Sequence, residues 1–194
     1  MTYKNLFTES INAHLSVIED LKKLEGQIAR VCEMCLFSVK SGHRIIFCGN
    51  GGSAADSQHL AAELIGKFLI DRRPLPALAL TVNTSQMTAI GNDFGFEYII
   101  SREIEVNGSK GDVLIALSTS GNSQNVINAA EKANSLGIKV VGLTGKTGGK
   151  LIECADECIC IPSTSTPRTQ EAHILVGHID RKSTRLNSSH HDIS

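Results

Sequence analysis

Four hydroxyl-bearing residues, Ser118, Thr119, Ser120 and Ser123, stand within six positions, with Gly121 and Asn122 among them. They follow the apolar run 113–117 and open a helical pattern over 122–135. The start of a helix leaves backbone N–H groups without partners, and its dipole favours an anion there. Successive hydroxyls can donate to several oxygens of one phosphate. No Walker lysine follows and no G-x-G-x-x-G pattern occurs, so the segment is not a nucleotide loop of either kind. Plain helix capping by Ser120 or Asn122 is the simpler alternative, but capping needs one such residue and not four.

A second loop, Gly49-Asn50-Gly51-Gly52-Ser53, follows the apolar run 44–48. Its glycines permit a sharp bend or the close approach of a ligand, and an ordinary strand-to-helix turn would also use them. The next helix, about 15 residues from Ser53 or Ala54, carries Asp56, Gln58, His59 and Glu63. His59 and Glu63 are four apart and share a face. A surface pair would explain that spacing. Their helix, however, leaves a strand's carboxyl end, so both can border a ligand. A last helical pattern, 167–179, carries Gln170, Glu171, His173 and His178. Among apolar neighbours a single histidine is more often a hydrogen-bonded core group than a ligand, and spacing alone promotes none of these four.

These residues need a scaffold. Apolar positions at Leu6, Ile11, Leu15, Ile18 and Leu21, then at Ile28, Val31, Cys35 and Val39, predict two helices over 3–41 with a corner at Gly26. Five short apolar runs follow, at 44–48, 77–80, 113–117, 140–143 and 158–161, separated by helical patterns that include 84–91 and 97–106. Strand and helix in alternation predict an α/β fold: a three-layer, doubly wound sandwich on a five-stranded parallel sheet, preceded by two N-terminal helices. Those helices either extend the fold or form a subunit interface. Ligands of such sheets bind beyond the carboxyl ends of the strands, where both loops fall. One domain over 1–179 accounts for the pattern. Residues 180–194 turn polar and aperiodic, and they read as a non-native tail, with His190 and His191 set aside with it.

The bulk properties exclude some partners. The 194 residues carry a formal net charge of −1, which gives no electrostatic footprint for nucleic acid or an anionic membrane. No run is long and apolar enough to span a bilayer, and the first ten residues lack the apolar core of a signal peptide. The expectation is a cytoplasmic protein. Six cysteines then read as small buried apolar groups, although Cys32 and Cys35 have redox-like or metal-like spacing.

The ordered set Phe47-Cys-Gly-Asn-Gly-Gly-Ser53, His59-Leu-Ala-Ala-Glu63-Leu, Ala89-Ile-Gly-Asn92-Asp93-Phe-Gly-Phe96, Ser118-Thr-Ser-Gly-Asn-Ser123, Leu143-Thr-Gly-Lys146 and Gln170-Glu-Ala-His173 resembles bacterial phosphoheptose isomerases. The resemblance runs from about residue 3 to Ile179 and implies the sugar isomerase (SIS) domain. It implies phosphate binding at Ser118, Thr119, Ser120 and Ser123, and sugar binding at Asn50, Gly51, Gly52, Ser53, Asn92, Asp93, Glu63 and Gln170. It implies a zinc ion held by His59, Glu63, Gln170 and His178, with Glu63 and His178 as the acid–base pair. The implied reaction takes D-sedoheptulose 7-phosphate to D-glycero-D-manno-heptose 7-phosphate through an enediol, an early step toward lipopolysaccharide heptose. The implied assembly is a homotetramer with sites at subunit interfaces.

One geometric question follows from these assignments. Gln170 and His178 are eight residues apart, about 12 Å along a regular helix, so one ion cannot easily meet both from one straight helix. Either Gln170 lies at a bent or frayed start, or two subunits combine. The rival functions are a non-catalytic SIS module, binding sugar phosphates as a sensor or associating with a replication initiator, and an isomerase of shorter sugar phosphates. A binding module has no need of Glu63 and His178.

Overall fold

The computed structural model describes residues 3–66 and 73–186. Two helices lead, α1 (Tyr3–Leu21) and α2 (Glu25–Lys40), followed by β1 (Ile45–Gly49), α3 (Gly52–Ile65) and β2 (Ala77–Ala79). Then come α4 (Thr84–Asp93), α5 (Ile99–Asn107), β3 (Val113–Ser118), α6 (Gln124–Ser135), β4 (Lys139–Thr144), β5 (Glu157–Cys160) and α7 (Thr166–Leu186). The five strands are all parallel, in the order β2-β1-β3-β4-β5.

The strand interiors are apolar because both faces are covered, and polar residues (Ser118, Lys139, Thr144, Glu157) stand only at strand ends. Side chains alternate across the sheet, with Ile45, Phe47, Ile115, Leu117 and Val141 on one face, packed with Val31, Cys35, Leu60, Leu64 and Val176 from α2, α3 and α7. Ile46, Cys48, Leu114, Ala116 and Val140 take the other face, beneath Ile100 and Ile104 of α5 and Val126 and Ala130 of α6. These are the three layers the sequence predicts. β1 is bonded to both β2 and β3, so the winding reverses at β1/β3, and a crevice opens beyond their carboxyl ends.

Most element boundaries fall within two residues of expectation, and three differences have a physical reason. The corner between the leading helices is a 3-10 turn, Lys22–Leu24, and Gly26 lies inside the first turn of α2. The α6 helix begins at Gln124, not 122. Helix α7 continues to Leu186, seven residues beyond the predicted end at 179. The remainder of the expected tail, 187–194, with His190 and His191, lies outside the described residues.

Cys32, Cys35, Cys48 and Cys158 are buried, Cys154 and Cys160 half-buried, and all six are thiols. Burial pushes the Cys48 thiol up to about 12, so it stays neutral. Among the described residues no helix is long and apolar enough to cross a membrane.

Candidate active site

The hydroxyl-rich loop leaves β3 at Ser118, which is buried. The Gly121 N–H closes a turn on the Ser118 carbonyl at 2.9 Å, and Gly121 has φ +67°, a conformation that favours glycine. A Cβ at Gly121 would also run into the Gly148 carbonyl. The connection after β4 braces the loop from outside. Gly145 N–H donates to the Thr119 carbonyl (3.0 Å), Leu151 N–H to the Gly121 carbonyl (2.9 Å) and Lys150 N–H to Asn122 Oδ1 (3.1 Å).

Neither Ser120 nor Asn122 caps α6. The N-cap is Ser123, and its side chain makes no capping bond; its hydroxyl instead accepts from Ser118 Oγ at 3.1 Å. Capping therefore does not account for the hydroxyls. The backbone N–H groups of Val126 and Ile127 both reach the Ser123 carbonyl, and those of the two residues before them have no partner within the helix. Neutral donors and a helix dipole thus converge where an anion can sit.

The glycine-rich loop lies across the crevice. Asn50, directly after β1, is half-buried, and its side-chain amide meets that of Asn125 in the first turn of α6. Asn50 Nδ2 donates to Asn125 Oδ1 and Asn125 Nδ2 donates to Asn50 Oδ1, each at 2.8 Å. Gly51 is the N-cap position of α3, Ser53 is buried, and the Ser53 carbonyl accepts from Ser57 Oγ at 2.7 Å. The Gln170 amide lies over Gly52 so closely that a side chain there would collide with it. Sequence reading missed Asn125, because an Asn in a helix's first turn signals nothing by itself and its partner is 75 positions away.

Helices α3 and α7 run side by side in the same direction. Gly52 meets Gln170 at one level, and about two turns lower Leu60 meets Gly177. At that lower level His59 Nε2 lies 3.1 Å from His178 Nε2, with the rings edge to face. Glu63 Oε1 is 3.9 Å from the same His59 nitrogen. His59, Glu63 and His178 therefore form one group. Gln170 is the fifth residue of α7, with helix on both sides, and it sits at the upper level beside the glycine-rich loop. Asn92 and Asp93 end α4 in exposed positions, where Asn92 Nδ2 donates to Asp93 Oδ1 at 2.8 Å.

Two Nε2 atoms 3.1 Å apart are close to the ~3.3 Å that separates two nitrogen ligands of a tetrahedral zinc ion. With a carboxylate on the same nitrogen, the donor set suits zinc in kind. Among the described residues, however, no three His, Cys, Asp or Glu side chains are drawn into a metal-holding cluster. One turn above His59, burial raises the Asp56 carboxyl above its ordinary value, partly opposed by the nearby imidazole.

His173 has the role of a core histidine. It is fully buried, and its Nε2–H donates to the Thr144 carbonyl at the end of β4 (3.1 Å). Burial lowers it to about 4, with that hydrogen bond pulling the other way, so the ring is neutral near pH 7. Glu171 meets His14 of α1 at 2.7 Å and Arg168 of its own helix at 2.6 Å.

An anion-ready helix start beside a glycine-rich loop, at the switch point of a five-stranded parallel sheet, is the arrangement of a SIS domain, and the profile of that family matches residues 7–145. The chain is 56% identical over 152 residues to the phosphoheptose isomerase of Rhodospirillum rubrum, covering 78% of this chain and 81% of that one. It is 50% identical over 171 residues to that of Akkermansia muciniphila, covering 87% and 90%. The solved phosphoheptose isomerase of Neisseria gonorrhoeae superposes with a TM-score of 0.90 at 37% identity, over 95% of this chain and 99% of that one. The chain belongs to the phosphoheptose isomerase family.

Proposed function

We infer that this protein is an aldose–ketose isomerase that converts D-sedoheptulose 7-phosphate into D-glycero-D-manno-heptose 7-phosphate, on the route to lipopolysaccharide heptose. The observation that carries the reading is the meeting of Glu63, His59 and His178 on two helices that start at the same sheet edge as the phosphate loop. A non-catalytic module would need the loop but not this group.

Ser118, Thr119, Ser120 and Ser123, with the open N–H groups of α6, hold the phosphate. Asn50, Gly51, Gly52, Ser53, Asn92, Asp93 and Gln170 contact the sugar. His59 lies seven residues, about 10 Å, down α3 from the crevice where the phosphate loop opens. That suits a substrate with phosphate on C7 and reaction at C1 and C2, where remote binding orients the reacting end. Glu63 takes a proton from C1 while His178 gives one to the C2 carbonyl oxygen, which yields the enediol. His178 then takes the proton from the C1 hydroxyl, and Glu63 returns its proton to C2. Zinc held by His59, Glu63 and His178, with Gln170 coming from a second subunit because within one chain it lies about two turns away, would supply a Lewis acid for charge on the sugar oxygens.

The working form is a cytoplasmic homotetramer with sites at subunit interfaces. Support comes from the exposed apolar stripe of Tyr3, Phe7, Ile11 and Leu15 on α1, and from an apolar groove of about 590 Å³ lined by Ile18, Leu21, Ile28, Leu36 and Leu175. His59 is half exposed, which leaves the acid–base group open to a second subunit. A coupled assay with sedoheptulose 7-phosphate, repeated after dialysis against chelator and after zinc is restored, tests both parts. The expectation is turnover that chelation abolishes and zinc recovers. Zinc-loaded protein without turnover would overturn the isomerase, and turnover indifferent to chelation would overturn the metal.

A further inference from the structure

Asn125 is 3% exposed, its amide turned inward from the first turn of α6. Its partner, Asn50, follows Gly49, which is in register with Leu117 immediately before the phosphate loop. The amide pair therefore spans the crevice where the sheet's winding reverses. The backbone there is already held by the β1/β3 ladder and by the Asn50 carbonyl, which accepts from Ala54 N–H at 3.3 Å. What the pair adds is the orientation of two side chains.

A primary amide offers two N–H donors and two acceptor lone pairs. The reciprocal bonds use one of each on both residues, and neither amide can turn over without the other. Asn50 is left with one N–H and one lone pair in a fixed relation, on the less buried member of the pair. A sugar hydroxyl both donates and accepts, so a fixed donor–acceptor edge suits a polyol and does nothing particular for a phosphate. We propose that Asn125 is a positioning residue that acts through Asn50, setting the Asn50 amide to read hydroxyls of the sugar chain. This rests on the assignment of Asn50 as a sugar contact.

The test is a double-mutant cycle on the intact chain, with Asn50→Ala, Asn125→Ala and the pair, and with Asn125→Leu as a variant of similar volume. Kinetics with sedoheptulose 7-phosphate, inhibition by inorganic phosphate and the thermal midpoint are measured for each. Each Asn125 variant is expected to raise KM about tenfold, the loss of one oriented hydrogen-bonding group. The phosphate inhibition constant and kcat stay within about twofold, and Asn125→Ala adds nothing once Asn50 is alanine. An unchanged KM in both Asn125 variants would overturn the proposal. So would a phosphate constant rising in step with KM, which is the mark of loop support, or a full Asn125 effect in the Asn50→Ala background. If Asn50→Ala itself leaves KM unchanged, the sugar contact fails and the proposal with it. If only the Asn125 variants are silent, Asn50 stands and Asn125 is structural.

Discussion

The phosphate loop draws its residues from six consecutive positions, and backbone bonds from Gly145, Lys150 and Leu151 hold it from outside. The group of His59, Glu63 and His178 joins two helices across 119 positions, and it relies on side chains that solvent can reach. The first region is braced by the chain's own hydrogen bonds, without any ligand. On the proposed assignment, the second would take its final geometry from a metal ion, the sugar or a neighbouring subunit. In the proposed mechanism, binding is thus built into the fold of one chain, and catalysis is left to be completed. The two can be broken separately.

Glu63→Gln gives the largest expected effect. Removing the proposed base should lower kcat by about 10³-fold, the scale of general acid–base catalysis, with inorganic phosphate inhibiting as in the parent. Inhibition kinetics on the residual activity, or calorimetry with phosphate, reads this directly. Weakened phosphate binding would show that the two regions are not independent. Ser120→Ala is the converse and smaller. Ser120 is exposed, and among the described residues its oxygen accepts only from Asn122 N–H at 3.1 Å, so the fold tolerates its loss. KM and the phosphate constant should rise together by about five- to tenfold with kcat nearly constant. A fall in kcat alone would mean that the loop takes part in the chemistry.

The same contrast explains what sequence could reveal. Strands buried on both faces must be apolar at every position, so 113–117 and its four counterparts are legible as runs. The hydroxyl-rich loop is legible because its hydroxyls fall within six positions. The N-cap at Ser123 was obscured by Ser120 and Asn122, which are equally good caps by type. The corner at Lys22–Leu24 was missed because it contains neither Gly nor Pro, while Gly26 is tolerated inside a helix. The end of α7 was missed because the six residues from Asp180 to Arg185 are all polar, and periodicity is silent there. His59 with His178, and Asn50 with Asn125, are contacts of the fold. Only the family resemblance marked the first pair, and nothing marked Asn125.

His173 sharpens the comparison, because it links the two regions. It lies on α7 between Gln170 and His178, and its Nε2–H holds the Thr144 carbonyl, one residue before the Gly145 N–H that braces Thr119. Among the described residues its Nδ1 is buried without a hydrogen-bond partner, so a second proton would be an unpaired buried charge. The folded state therefore binds that proton only near pH 4, while an unfolded histidine binds it near 6.5. Between those values the unfolded state holds more protons, so stability falls as pH falls, by roughly 3 kcal/mol across the window. His173→Gln can still donate to Thr144 but cannot titrate. It should cost about 1–2 kcal/mol at pH 7.5, change kcat/KM less than about threefold, and flatten the acid limb of the stability curve by about one proton. Urea unfolding of both proteins at pH 7.5, 6 and 5 measures the slope. Parallel curves would show that His173 is not the group that charges. A large loss of kcat at neutral pH would show that α7 and the phosphate loop must be held in register for turnover.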